Sequence, residues 1–197
     1  KSIGQVIYPD IPMSQGLDLI AKLIPAIKSR KQVKFEYHKF DGNVSARIVN
    51  PYYLKQFRKR WYLIAKDSKE GAVKSFGLER MDKLETTKTP FKLSEKEDPK
   101  QMFENVIGLF EKDGVPEKVL LWSEPYNANY IRTLPLHRSQ KEVGPKDNGF
   151  VFELTVVPNF EFYQEILRMS DRVKILSPQS VRKAMAATLD GIRTYYD

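Results

Sequence analysis

The chain has 197 residues, 41% of them hydrophobic and 29% charged, with a formal net charge of +8, two histidines and no cysteine. That length holds one large domain or two small ones with a core each. Without cysteine, disulfides, thiolate nucleophiles and Cys-based zinc sites are excluded, and no apolar run approaches the roughly 18 residues needed to span a bilayer.

The charge is uneven. Leu17–Leu93 carries 18 Lys+Arg against 8 Asp+Glu, whereas Ser94–Asp197 carries 14 against 16. A basic first half points to a phosphate-bearing or nucleic-acid partner there, and to different work for the second half. The opening Lys-Ser-Ile-Gly is no secretory signal, which with the absence of cysteine predicts a cytoplasmic protein. The missing initiating Met predicts a piece of a longer protein with a partner domain upstream.

Residues 1–16, with Pro9 and Pro12 and no periodicity, read as an arm or linker. Leu17, Ile20, Leu23, Ile24 and Ile27 recur at helical spacing and predict one buried stripe. Pro25 inside that stripe predicts a kink or break. Val33, Phe35 and Tyr37 then alternate with Lys34, Glu36 and His38, as in a half-buried strand. Asp41-Gly42 marks a hairpin turn. Val44–Asn50 returns with Val44, Ala46 and Ile48 on one face and Ser45, Arg47 and Val49 on the other. Asn50-Pro51 predicts an interruption, Tyr52–Leu54 a third strand, Lys55–Arg60 a basic turn, Trp61–Lys66 a further strand, and Val73–Glu79 and Met81–Thr87 two more. One helix and five or six short strands suggest a small, strongly bent barrel.

Residues 94–117 read as a linker with a short helix near Met102–Phe110. Beyond it come strand Val119–Trp122, helix Asn127–Leu134, strands Lys141–Val143 and Phe150–Val157, helix Phe160–Met169, strand Val173–Leu176 and a closing helix over Pro178–Tyr196. The order βαββαβ is the split, ferredoxin-like arrangement. The fold class expected is α+β, with a barrel over 17–93 and a ferredoxin-like domain over 118–197.

The stretch with most functional content is Lys55–Asp67, in which Lys55, Arg58, Lys59 and Arg60 lead into the apolar run Trp61–Ala65. A cationic rim beside aromatic surface suits a flat anionic ligand, with phosphates at the charges and bases on the rings; a core strand behind a solvated basic turn is the plainer reading. If Trp61 and Leu63 point inward, Tyr62 points outward. Tyr37 goes with the core by the same alternation, leaving His38 outside.

Trp61-Tyr62-Leu63 stands at the centre of a wider pattern. Tyr37, Arg47 with Asn50-Pro51-Tyr52, Arg60–Ala65 and Phe76–Met81 occur in the order and spacing of the WYL-domain family, which the chain resembles. Leu134–Glu142, with His137, Ser139 and Gln140, resembles the C-terminal extension, WCX, that follows many WYL domains. The resemblance implies an Sm-like, SH3-type barrel followed by the ferredoxin-like extension. It also implies a ligand-sensing module of a transcriptional regulator, binding a nucleotide or single-stranded nucleic acid and pairing as a homodimer through the extension. DNA would be reached only through an N-terminal helix-turn-helix, which these residues lack. Lys74 and Glu79 stand where the family pattern leads us to expect Arg and Asp, so a forked guanidinium contact is missing at Lys74.

The candidate ligand contacts are Arg47, Arg60, Lys74 and Arg80, with Tyr53 and Tyr62 as stacking rings and His38 and His137 as polar contacts. Each cation has a plainer reading as a solvated or ion-paired surface group, Arg80 beside Glu79 and Asp82 above all. His137 with Ser139 and Gln140 would either complete a site or cap local backbone. Gly-x-Ser-x-Gly, Walker and Gly-x-Gly-x-x-Gly motifs are absent, two histidines 99 positions apart make a poor transition-metal set, and neither an enzyme nor a bound cofactor is expected. The rival reading is a protein-interaction or dimerisation module whose basic face meets acidic partners.

Overall fold

Alternation in Val33–Tyr37 builds the strand on which the first sheet is assembled. In a computed structural model, which describes residues 15–93, 98–109 and 114–197, α1 (Asp18–Lys28) precedes β1 (Lys31–His38), β2 (Val44–Phe57), β3 (Arg60–Asp67), β4 (Val73–Gly77), a 3₁₀ turn at Leu78–Arg80, and β5 (Met81–Pro90). The strands pair antiparallel in the order β4-β3-β2-β1-β5. Among the described residues this sheet is open, ending on β4 and β5. Residues 1–14 of the expected arm lie outside the described residues.

The core of this unit gathers Leu19, Leu23 and Ala26 from α1 with Val33, Phe35, Tyr37, Val49, Leu63, Ala65, Phe76 and Leu78. Phe35, Tyr37 and Phe76 meet edge to face, with centroids 5.2–6.1 Å apart, the arrangement their ring quadrupoles favour. α1 runs unbroken through Pro25; Leu23 of the expected stripe is buried and Ile20 and Ile27 pack against the core, but Leu19 and Ala26 complete the buried face and Ile24 is turned outward. Gly16, at φ +81°, lies so close to the Leu78 backbone that a Cβ there would stand 2.7 Å from it.

Two further expectations are corrected. The Asn50-Pro51 pair does not end a strand: β2 runs through it, 14 residues in all, with a bulge between Pro51 and Tyr53 that absorbs the proline's missing donor. The basic turn is shorter than expected. Phe57 pairs with Arg60, leaving Arg58 and Lys59 as a two-residue hairpin tip at φ +45° and +65°. In a hairpin those signs match the twist of the flanking strands.

The chain divides between Pro99 and Lys100 into a second unit. A single turn, α2 (Pro99–Met102), replaces the longer helix expected near Met102–Phe110, whose last residue lies outside the described residues. Then follow β6 (Glu117–Ser123), α3 (Pro125–Thr133), β7 (Lys141–Lys146), β8 (Gly149–Val156), α4 (Phe160–Arg168), β9 (Val173–Ser177) and α5 (Gln179–Arg193). The antiparallel sheet runs β7-β8-β6-β9. Val119, Leu121, Phe152, Leu154, Phe162 and Ile166 form its core.

Side-chain caps start both inner helices. Glu124 accepts from the amides of Tyr126 and Asn127 at the start of α3, and Asn159 accepts from Phe162 N at the start of α4. Asn159 also donates to Ile107 O at 3.0 Å, tying the segment before β6 to this core.

Candidate ligand-binding face

The bulge in β2 decides where each candidate residue of the first unit points. Before it, Ser45, Arg47 and Val49 share the core side of the sheet, and Val44, Ala46 and Ile48 are exposed. After it the parity reverses. Leu54 pairs with Leu63 on the core side, while Tyr53 pairs with Ile64, Lys55 with Tyr62 and Phe57 with Arg60 on the outer side, where Ile64 is itself buried. Directly opposed residues share a face, so Tyr53, Arg60 and Tyr62 lie along one outer ladder, and Lys55 joins them.

Lys55 is the residue that the sequence reading placed in a turn. Burial holds its ammonium below the usual lysine range. A partly desolvated cation beside a tyrosine ring gains more from an anion than a fully hydrated one does. Only the hairpin register, set by the two-residue tip, reveals that it neighbours Tyr62.

Arg47 and Lys74 belong elsewhere. Lys74 pairs with Ala65, and so shares the core-side parity of Arg47. Arg47 Nη1 donates to Asp67 Oδ2 at 2.8 Å and to Glu70 Oε1 at 2.9 Å, while its Nε donates to Ser45 Oγ at 3.1 Å. Lys74 Nζ is bonded to Glu70. Burial of the Asp67 carboxylate works to raise its pKa. Hydrogen bonds from Glu70 N, Arg47 and Lys69 N outweigh that and hold it below the usual range. Arg47 and Lys74 therefore do not join Arg60 in one cluster of ligand contacts: β3 spans about 23 Å, with Asp67 at one end and Arg60 at the other.

At the Arg60 end, Glu79 sits between two guanidinium groups. Its Oε1 is 3.6 Å from Arg60 Nη1 and 3.9 Å from Arg80 Nε, both longer than a hydrogen bond. Glu79 Oε2 and Arg80 Nε are buried atoms without a hydrogen-bond partner. The Arg80 guanidinium carbon lies 4.8 Å from the Tyr37 ring centroid and 4.2 Å from that of Phe40, distances at which a cation is attracted to a ring face. Phe40 is 82% exposed. The Tyr37 hydroxyl accepts from Gly77 N at 3.2 Å, and burial pushes its phenol pKa up. Phe40 also escaped the sequence reading, because its ring contact arises only when the β1–β2 hairpin folds back over the 3₁₀ turn.

The histidines stand apart. His38 is exposed and lies with Glu36 and Asp82, their potential ligand atoms all within 4.8 Å. That trio is the group on the described surface whose donor types could hold a metal ion, although Lys83 Nζ already bonds Glu36 at 2.8 Å. His137 is in the second unit. Its Nδ1 lies 2.8 Å from Ser139 Oγ, Ser139 is bonded to Thr155 N and O, and Gln140 bonds Leu136 N and Ile131 O. This network binds local backbone together.

An open, basic sheet unit with cations and rings along its outer ladder, followed by a second α+β unit, defines the class. A family model of the WYL domain matches residues 18–86, and one of the WCX domain matches residues 116–192. The chain belongs to the WYL-domain family, with a WCX domain after the WYL domain. It is similar to the Proteasome accessory factor B/C (PafBC) of Arthrobacter aurescens, at 20% identity over 98% of this chain and 29% of that one, with a TM-score of 0.40. It is also similar to a CRISPR Cas-related protein of known crystal structure, at 16% identity over 92% of this chain and 53% of that one, with a TM-score of 0.47. The chain thus spans well under two thirds of the length of either.

Proposed function

We propose that this chain is the sensing part of a transcriptional regulator, and that its first unit binds a nucleotide or single-stranded nucleic acid on the outer ladder ending at Arg60. One observation carries the reading: Arg80, with the Tyr37 and Phe40 rings against its guanidinium, keeps a buried N–H without an acceptor, and Glu79 lies between it and Arg60. A phosphate oxygen would satisfy that donor, and guanidinium groups suit phosphate geometry. Tyr62, Tyr53 and the free face of Phe40 offer stacking surface, and Lys55 adds charge. Arg47 and Lys74 hold the far end of the same sheet through Asp67 and Glu70, and act on the ligand through that framework. His38 and His137 contribute outside this ladder.

In this reading residues 17–93 are an Sm-like, SH3-type barrel, 94–117 a linker and 118–197 a ferredoxin-like domain, for which the strand order β7-β8-β6-β9 is the support. Ligand binding regulates an attached DNA-binding domain only if the ligand's affinity differs between two arrangements of the protein. The reading includes a homodimer formed through the second unit, supported by Met185, Leu189 and Ile192 in one line along α5, where Val181 alone is buried. Light scattering that returns a monomer at high concentration would refute the dimer.

The test of the ligand is titration of the chain with a fluorescently labelled single-stranded oligonucleotide at several salt concentrations. Affinity should fall with salt at a slope of roughly −0.7 per phosphate contacted. Arg80→Ala and Arg60→Ala should weaken binding far more than Lys22→Ala. No binding at low salt would favour the rival, a module meeting acidic protein partners.

A further inference from the structure

The second unit carries a row of three rings faced by a row of three cations. Trp122 lies near the end of β6, and Tyr126 and Tyr130 follow one turn apart on α3. Facing them, on the stretch from the end of α4 into β9, are Arg168, Arg172 and Lys174. Lys174 Nζ is 4.2 Å from the Trp122 ring centroid, and the Arg172 guanidinium carbon is 5.9 Å from that of Tyr126. Arg168 and Tyr130 line one hollow of about 720 Å³, and Trp122 lines a second of about 510 Å³; both hollows include Tyr126 and Arg172.

These rings do not serve the core. Tyr126 and Tyr130 are 61% and 59% exposed, and are held in place by each other, with centroids 5.5 Å apart and hydroxyls 3.2 Å apart. Gly149 presses on Trp122 so closely that a Cβ there would meet the indole at 2.5 Å, and Trp122 Nε1 donates to Lys146 O at 2.8 Å. The platform is therefore rigid before any ligand arrives, which lowers the ordering cost of binding. Ile131 and Met169 give the larger hollow an apolar floor.

The nearby acids are mostly engaged. Glu124 caps α3, and Glu165 bonds Arg168 at 2.9 Å. Among the described residues no carboxylate forms an ion pair with Arg172 or Lys174. Asp171, on the same wall, opposes an anion, so ring stacking rather than charge must supply most of the affinity.

We propose that this face is a second ligand site, independent of the one on the first unit, for a planar base carrying phosphate: bases stack on Trp122, Tyr126 and Tyr130, and phosphates meet Arg172, Lys174 and Arg168. Alternation of exposed rings with cations is how sequence-tolerant single-strand binders are built, each stacked base contributing appreciably to affinity. The same chemistry is offered by a free nucleotide and by a strand.

The experiment uses the whole chain. A ten-residue thymidine oligonucleotide carrying 5-iodouracil is irradiated with the unaltered protein and the linked peptides are mapped. In parallel, Trp61→Phe leaves Trp122 as the sole tryptophan of the two in the sequence, so quenching of its emission reports the second unit; Trp122→Phe makes Trp61 report the first. We expect links at Tyr126 or Tyr130, saturable quenching of Trp122, and a loss of about tenfold in that affinity in Tyr126→Ala/Tyr130→Ala, with Lys22→Ala unaffected. Equal affinity for thymidine monophosphate would support a nucleotide site, and at least tenfold preference for the oligonucleotide a strand site. The proposal is overturned if no link falls in residues 122–134 at low salt, if the tyrosine variant binds unchanged, or if that variant alters only self-association. Because Trp61 and Trp122 are read separately, failure here and failure of the first-unit site are distinguishable.

Discussion

Asp67 and Arg47, twenty positions apart in the chain, are joined by a 2.8 Å ion pair in which the carboxylate is 1% exposed. Removing the arginine would leave a buried charge uncompensated, which costs far more than the pair itself contributes. Arg47→Ala should therefore lose on the order of 3 kcal/mol of unfolding free energy. Urea denaturation measures this, and ligand affinity per folded molecule should change much less than in Arg80→Ala.

The same carboxylate sets a pH dependence. Its pKa is lower in the folded chain than its ordinary value, so its contribution is fully present above about pH 4 and is lost as pH falls through the folded value. Thermal unfolding between pH 7 and pH 2.5 should show this decline. Asp67→Asn should flatten it while lowering stability at neutral pH.

Arg58 and Lys59 both hold left-handed backbone at the tip between β2 and β3. For residues with side chains that conformation costs about 1 kcal/mol or more each, and Asn-Gly is the pair that takes it most readily. Arg58→Asn/Lys59→Gly should therefore raise the melting temperature. If the tip steers an anionic ligand, the double variant should also slow association, an effect that added salt erases, while dissociation stays the same. Stopped-flow mixing with a labelled oligonucleotide reads both rates.

Arg80→Lys keeps the charge and loses the fork and the flat face that rests between Tyr37 and Phe40. It should recover only part of the affinity lost in Arg80→Ala, where substitution by a point charge at a solvated site would recover nearly all of it. Tyr62→Ala should cost roughly 1–3 kcal/mol of binding if the ring stacks on a base, and Tyr62→Leu should not restore it. Fluorescence anisotropy titrations decide both.

Tyr37→Phe tests the framework under the site. The hydroxyl accepts from Gly77 N in a buried place, and its loss leaves that amide without this acceptor. A decrease of about 1–3 kcal/mol is expected in urea denaturation, with the ring stack on Arg80 intact.

Much of the fold was legible because local pattern and tertiary burial agree. Val33, Phe35 and Tyr37 alternate cleanly and are all buried. Leu63 and Trp61 face the core and Tyr62 faces away, as parity required. In the second unit every strand and helix expected after residue 117 exists, with ends shifted by a few residues. In α1 the stripe holds at Ile20, Leu23 and Ile27 and fails at Ile24, because Leu17–Ile27 is apolar on more than one face and periodicity alone does not choose between Leu19 and Ile24.

The site was legible only in fragments. Alternation places Arg47 and Val49 together but does not say which face is buried, because the opposite face carries three apolar residues. The partner that fixes Arg47, Asp67, is a long-range neighbour that the sequence places just past the end of a strand. Lys55, Phe40, and the Trp122–Tyr126–Tyr130 row gain meaning only from register, from a hairpin folding over a turn, and from a loop brought opposite a helix. None of these leaves a periodic trace in the chain.

The offset between Pro51 and Tyr53 sets one surplus residue, Tyr52, outside the ladder. Deleting Tyr52 would leave Pro51 opposite Ala65, Tyr53 opposite Ile64 and Lys55 opposite Tyr62, so the hairpin would keep both its faces. Forcing that residue into the ladder instead would turn Tyr53 toward the hydrophobic interior and Leu54 toward water. A residue set aside in this way lets two stretches of one ribbon, whose patterns are out of step, line the same interior.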